Sequence, residues 1–151
     1  MQTKNILNFI FFLSIIGILL SAYLTGIHYT EKGSFCDIND TISCSTVSNS
    51  PYSEMFGIPV SIFGLIGYTL FALSSFFLRE KPKWLKEGSF AKKLFSIGSI
   101  YSLSLIALIF SLYLTYHEIF TIKAICILCI LSQIIILIIA GLGYSLKKKF
   151  Y

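Results

Sequence analysis

The sequence predicts an all-α integral membrane protein, a four-transmembrane-helix bundle with a long outer loop that contains a short interfacial helix. Three observations predict it. Four apolar runs, at about 6–27, 58–78, 94–116 and 124–146, each approach or exceed the roughly 20 residues that cross a hydrocarbon core as helix. Charged residues make up only 13% of the 151, against 56% hydrophobic, and the mean hydropathy is +0.81. No run alternates with period two, which argues against barrel strands. The runs use most of the chain, so residues 1–151 read as a single membrane domain.

The first run, 6–27, follows Lys4 and carries the small residues Ser14, Gly17, Ser21 and Gly26, which let membrane helices approach closely. It is too long for a signal-peptide core and lacks a small-x-small cleavage site, so it reads as a retained helix. His28 is expected just past its end, as an interfacial polar residue.

The outer loop, 28–57, is rich in Gly, Ser, Thr, Asn and Asp, the residues of turns. At about 30 residues it is too long for a tight connection and reads as functional. Its later part, Pro51-Tyr52-Ser53-Glu54-Met55-Phe56-Gly57, is expected to form a short interfacial helix that starts near Pro51 and ends at Gly57.

The second run opens on Ile58-Pro59, with proline suited to a first helical turn. Ser61, Gly64 and Gly67 recur on it at three-residue spacing. They read as a close helix contact, as room for a flat ligand, or as both. The 79–93 segment, with Trp84 at the headgroups, reads as a cytoplasmic connector. The third run carries serines that bond back to their own backbone or face the bundle, and Tyr113, Tyr116 and His117 mark its outer end. Tyr113 is a candidate lining residue. No acid or base falls inside the four spans as drawn, which argues against an ion-coupled transporter.

Charge distribution sets the orientation. Lys4, Arg79, Lys81, Lys83, Lys86, Lys92, Lys93, Lys147, Lys148 and Lys149 fall on one side of a four-span topology, and only Lys32 and Lys123 on the other. By the positive-inside rule both termini are cytoplasmic. The net charge of +5 thus serves topology and gives no reason to expect nucleic acid. All four cysteines, Cys36, Cys44, Cys126 and Cys129, then lie at the outer face, where disulfides persist.

Cys126-Ile127-Leu128-Cys129 is a CxxC at the head of the last run. At helical spacing its sulfurs lie on one face about a turn apart, close enough to bond or to separate. A zinc site would gather more ligands in a polar pocket, and none is expected here. With Thr121 as the cap, Cys126 falls in the early turns of the helix, where its N-terminus favours a thiolate, and Lys123 shares its face. Cys126 is expected nearer the water, exchanging with other cysteines, and Cys129 deeper, meeting a hydrophobic acceptor. Gln133, four residues on, is a candidate donor to a quinone carbonyl or a partner for another helix. Cys36 and Cys44, eight apart in flexible sequence, suit either a loop staple or a relay that swings toward the CxxC; the CxxC favours the relay.

In order, these features resemble the vitamin K epoxide reductase family: Cys36 and Cys44 after the first run, Cys44-Ser-Thr-Val-Ser-Asn-Ser-Pro-Tyr-Ser, Phe56-Gly-Ile-Pro-Val-Ser-Ile-Phe-Gly, Tyr68, then Tyr113-Leu114 ahead of Cys126-x-x-Cys129. The resemblance implies a four-helix bundle around a quinone. Electrons would flow from a thioredoxin-like (DsbA-like) dithiol protein through Cys36 and Cys44 to Cys126, Cys129 and the quinone. By position Cys129 matches the quinone-contacting cysteine, Cys126 the exchange cysteine, and Ser50 a supporting loop serine. Val60 stands where vertebrate members have a quinone-holding asparagine, and Gln133 where they have a tyrosine, so ubiquinone or menaquinone is expected rather than an epoxide. Many bacterial relatives carry a fused thioredoxin-like domain; with none in this sequence, a separate partner protein is expected.

The expected activity is therefore a thiol oxidoreductase of the cytoplasmic membrane, with catalytic Cys36, Cys44, Cys126 and Cys129. Cys129, Gln133, Tyr113, Ser61 and Gly64 are expected at the quinone, and Ser50 and Lys123 in support. The alternatives are a DsbB-type quinone reductase, whose CxxC lies nearer the first outer loop, and a small disulfide-stapled transporter or structural protein.

Overall fold

The computed structural model describes residues 3–30, 33–80 and 96–150. The expectations placed on Glu31, Lys32 and most of the 79–93 connector, Trp84 included, lie outside the described residues. Four long helices carry the fold: α1 (Thr3–Thr30), α3 (Val60–Glu80), α4 (Ile97–His117) and α5 (Ile127–Phe150). Each is long and apolar enough to cross a membrane, and the chain is an all-α, multi-pass membrane bundle. Large apolar side chains such as Phe12, Leu19, Ile109 and Leu112 are exposed on the outer surface. That arrangement suits lipid and not water.

α1 packs chiefly on α3, α4 on α5, and α1 also meets α5. At one end Ile10, Phe71, Ile100 and Ile139 form an apolar core. Two fully buried hydroxyls bond within their own helices: Ser14 donates to the Ile10 carbonyl at 2.7 Å and Ser104 to the Tyr101 carbonyl at 2.8 Å. Among the described residues, hydrogen bonds tie the long helices together at three places. Thr25 donates to Ser61 at 2.8 Å, Thr115 to the Gln133 Oε1 at 2.6 Å, and the Tyr68 hydroxyl to the Ser132 carbonyl at 2.9 Å. Gly17 lies under the Tyr68 ring, where a Cβ has no room.

The loop end departs from expectation in four places. α1 runs to Thr30, so His28 is inside its last turn and not beyond it. The expected 51–57 helix is only a 3₁₀ turn at Pro51–Ser53, followed by β1 (Glu54–Met55) and β2 (Ile58–Pro59) as an antiparallel hairpin. Phe56 and Gly57 form its two-residue turn with φ of 55° and 76°, the left-handed pair such a turn requires. The short helix of this loop is instead α2 (Cys44–Ser48), N-capped by Ser43, whose hydroxyl accepts from the Thr46 amide. Finally, α4 does not stop near 116. It continues through a π-helical turn, Glu118–Ile122, closed by Lys123 at φ 56°.

Candidate active site

The loop is docked onto the helix ends at three places. His28 Nδ1 meets the Ser48 carbonyl at 2.7 Å and its Nε2 meets Glu54 Oε1 at 3.2 Å. Tyr52 stacks on His117 with ring centroids 4.8 Å apart. Ile42 and Ile125 form an isolated parallel bridge: the Ile125 amide donates to the Thr41 carbonyl at 2.8 Å, and the Ser43 amide to the Ile125 carbonyl at 3.2 Å. This pins the loop beside the residues that lead into the CxxC. In this structure the Gly/Ser-rich segment is docked on the helix ends.

Inside the loop, Asp37 is the hub. Its carboxylate accepts from the Ser34 amide (2.6 Å), the Ser43 hydroxyl (2.8 Å), and the Ser45 amide and hydroxyl (3.1 and 2.7 Å). Burial pushes its pKa up, but these four donors outweigh it and hold the carboxyl well below the usual carboxylate range. Cys36 and Cys44 are joined as a disulfide with their Cα atoms 5.8 Å apart, and Cys126 and Cys129 are free thiols. Cys36, Cys44 and Cys126 share one buried apolar cluster with Leu24, Ile27 and Val47, and Cys129 packs against it.

The CxxC sits differently from the sequence expectation. α5 begins at Ile127, so Cys126 occupies the N-cap position; its carbonyl accepts from Ile130 and its sulfur accepts the Cys129 amide at 3.3 Å. Cys126, not Thr121, caps the helix; Thr121 lies in the π turn and contacts His117 Nδ1 at 3.2 Å. Cys126 is completely buried, whereas Cys129 is partly accessible. Cys126 is not open to water, because the docked loop covers it. Lys123 is exposed in the turn, outside the helix, and shares no helical face with Cys126.

A cavity of about 580 Å³ opens beside Cys129 between α1, α3, α4 and α5. That size is typical of small-molecule sites. Its walls are mainly apolar, including Val60, Phe63 and Phe110, and Ser61, Gly64, Gly67 and Ser50 also line it. Gly64 both lines the cavity and faces Ser21, so it provides helix contact and ligand room together; Gly67 faces open space. On α5 the lining stripe is Cys129, Ser132 and Ile136, so Gln133 turns away and bonds Thr115 of α4. Of the two roles the sequence left open for Gln133, the structure shows the tie to a neighbouring helix, and its place in the cavity wall is corrected. Tyr113 is corrected likewise: it is over half exposed, stands edge-on to His117, and borders a separate hollow of about 130 Å³.

Glu118 falls between the third and fourth apolar runs as drawn from the sequence. The π turn buries it, with 5% of its surface exposed, in the cavity wall. A carboxylate oxygen lies within 4.8 Å of both the Cys126 and Cys129 sulfurs. The three groups are one short of a closed structural zinc site. The signal in the sequence was that Glu118 is the single acid after Glu87, set in an otherwise apolar stretch. Its helical phase could not be read there.

A bilayer-embedded bundle with a fixed disulfide against a buried dithiol defines a membrane thiol oxidoreductase. The model of the Vitamin K epoxide reductase family matches residues 8–144, and the chain belongs to that family. No curated protein matches the chain.

Proposed function

We propose that the protein oxidises the dithiol of a thioredoxin-like (DsbA-like) protein at the outer face of the cytoplasmic membrane and delivers the electrons to ubiquinone or menaquinone. One observation carries this reading: three of the four sulfurs share one buried cluster, and only Cys129, packed against it, also lines the apolar cavity. The sulfur chain thus begins at the loop and ends at a site for a lipid-soluble ring. The bias of ten basic residues against two supports the orientation.

A thiolate of the partner attacks the Cys36–Cys44 disulfide, and the mixed disulfide resolves to leave both loop cysteines reduced. The loop thiols then reduce a Cys126–Cys129 disulfide, with Cys126 as the attacked sulfur because it lies in the cluster with Cys44. A bound quinone supplies a two-electron, two-proton acceptor for the resulting dithiol. Ser61 offers a hydroxyl to that ring, Gly64 and Gly67 leave it space, and the apolar walls exclude water. Ser50, which donates to the Val47 carbonyl at 2.8 Å, holds the end of α2 over the cavity. Membership of the family, with the CxxC heading the last helix, favours this reading over the DsbB type and over a transporter.

The test is reconstitution of the full chain in lipid nanodiscs with ubiquinone or menaquinone and reduced thioredoxin-like proteins. One quinone should be reduced per dithiol oxidised. Absence of quinone reduction with every dithiol protein and both quinones sinks the proposal.

A further inference from the structure

Glu118 has no role in the relay just described, yet its position is unusual for a structural residue. It is 95% buried, and its Oε1 has no hydrogen-bond partner among the described residues. An orphaned carboxyl oxygen in an apolar bundle is costly, and a purely structural acid would have its lone pairs satisfied. The helix departs from α geometry at this residue, and π turns of this kind recur at functional sites. The departure puts the carboxyl in the wall of the cavity, within 4.8 Å of both CxxC sulfurs.

We propose that Glu118 is the proton acceptor for the Cys126–Cys129 dithiol as it is oxidised. The proposal rests on the thiol-to-quinone reading above. Conversion of the dithiol to a disulfide breaks two S–H bonds, forms one S–S bond, and releases two electrons and two protons. The electrons go to the quinone-class acceptor. The Glu118 carboxylate takes the Cys129 proton, breaking S–H and forming O–H, and leaves a thiolate facing the cavity. The carboxylate passes that proton to the acceptor and, restored, takes the Cys126 proton; as the two sulfurs join, the released electron pair goes to the acceptor, and Glu118 delivers the second proton to it. One base suffices because its oxygen reaches toward both sulfurs. Cys126, buried among Leu24, Val47 and Leu128, is shielded from bulk solvent, so a fixed acceptor beside it suits this dithiol.

The titratable groups that share this space are Cys126 and Cys129 from α5, His28 from α1, Tyr52 from the loop, Tyr68 from α3, and His117 beside Glu118 on α4. Lys123 is exposed in the adjoining turn.

The experiment compares wild type, Glu118→Gln and Glu118→Asp as full chains in nanodiscs, with thermal melting and the intact Cys36–Cys44 disulfide as fold controls. The probe is menadione, mixed with the reduced proteins in a stopped-flow instrument across a range of pH. Glu118→Gln is expected to slow the dithiol-to-quinone step by ~100-fold. Its rate should climb with pH without levelling, whereas the wild-type rate levels off, and Glu118→Asp should fall between. A wild-type rate and pH profile in Glu118→Gln overturns the proposal. If that variant does not assemble, Glu118→Asp is decisive, and an unaltered rate and profile there overturns it. If the wild type itself does not reduce menadione, the quinone reading is what fails. Glu118 is then judged by iodoacetamide labelling of Cys129 in a Cys126→Ser background. Slower labelling with Glu118→Gln at neutral pH supports the proton acceptor, and equal labelling overturns it.

Discussion

The Ile125 amide donates to the Thr41 carbonyl at 2.8 Å, and through this bridge the backbone just before Cys126 runs beside the backbone just before Cys44. Two cysteine pairs 82 positions apart, counted from Cys44 to Cys126 (126 − 44), are thereby held in one apolar cluster. The loop is a docked element of the bundle, so its sulfurs need no large excursion to meet the CxxC.

Ile125→Pro removes the donor of that bridge. The loss of one hydrogen bond, about 1 kcal/mol, corresponds to roughly fivefold weaker docking. Transfer from the loop dithiol to an oxidised CxxC should slow by about that factor, while menadione reduction by the pre-reduced CxxC keeps its rate. Rapid-quench alkylation of each cysteine pair separates the two steps.

Cys129→Ser leaves Cys126 without its intramolecular partner. Because Ile42 is paired with Ile125 in parallel register, Cys44 lies nearer Cys126 along the two strands than Cys36 does. A Cys44–Cys126 mixed disulfide should accumulate on mild oxidation, read by peptide mapping without reduction. Accumulation of Cys36–Cys126 instead would show that the bridge does not set the order of exchange.

Asp37 makes the loop acid-sensitive. Its folded-state pKa is depressed, so its contribution to loop stability is complete above the unfolded carboxyl value of about 3.9 and is lost as pH falls toward the folded value. Reduction of Cys36–Cys44 by a phosphine should therefore accelerate below about pH 4 in the wild type. Asp37→Asn should raise the rate at neutral pH and flatten the acid limb. The two rates, compared at each pH, check the sign: a wild-type loop no more resistant than Asp37→Asn at pH 7 contradicts it.

Gly67 lines the cavity and a side chain there meets nothing within 4 Å. Gly67→Phe should fold, fill part of the space, and raise the KM for a quinone by tenfold or more, about 1.4 kcal/mol. Exchange between the two cysteine pairs should be untouched. A wild-type KM with Gly67→Phe would place the quinone elsewhere.

The sequence by itself determined the class of the molecule. Length of apolar runs, sparse charge, and four cysteines with the CxxC at the head of the last run are properties of single segments, and they survive folding unchanged. The helix count and the family came directly from them. The tertiary structure decided everything that depends on helical phase and on contact between distant segments. The π turn rotated Glu118 inward, where a plain helix end would have left it in an outer loop. The docked loop buried Cys126, where the helix end alone would have left it open to water, and Cys129 lines the cavity. Gln133 and Tyr113 fell off the lining stripe because a side chain one residue out of register on a helix points about 100° away. A type I′ hairpin displaced the expected 51–57 helix because Phe56 and Gly57 both take left-handed backbone. Chemistry was legible in residue types; which of those residues face one another was settled only by packing.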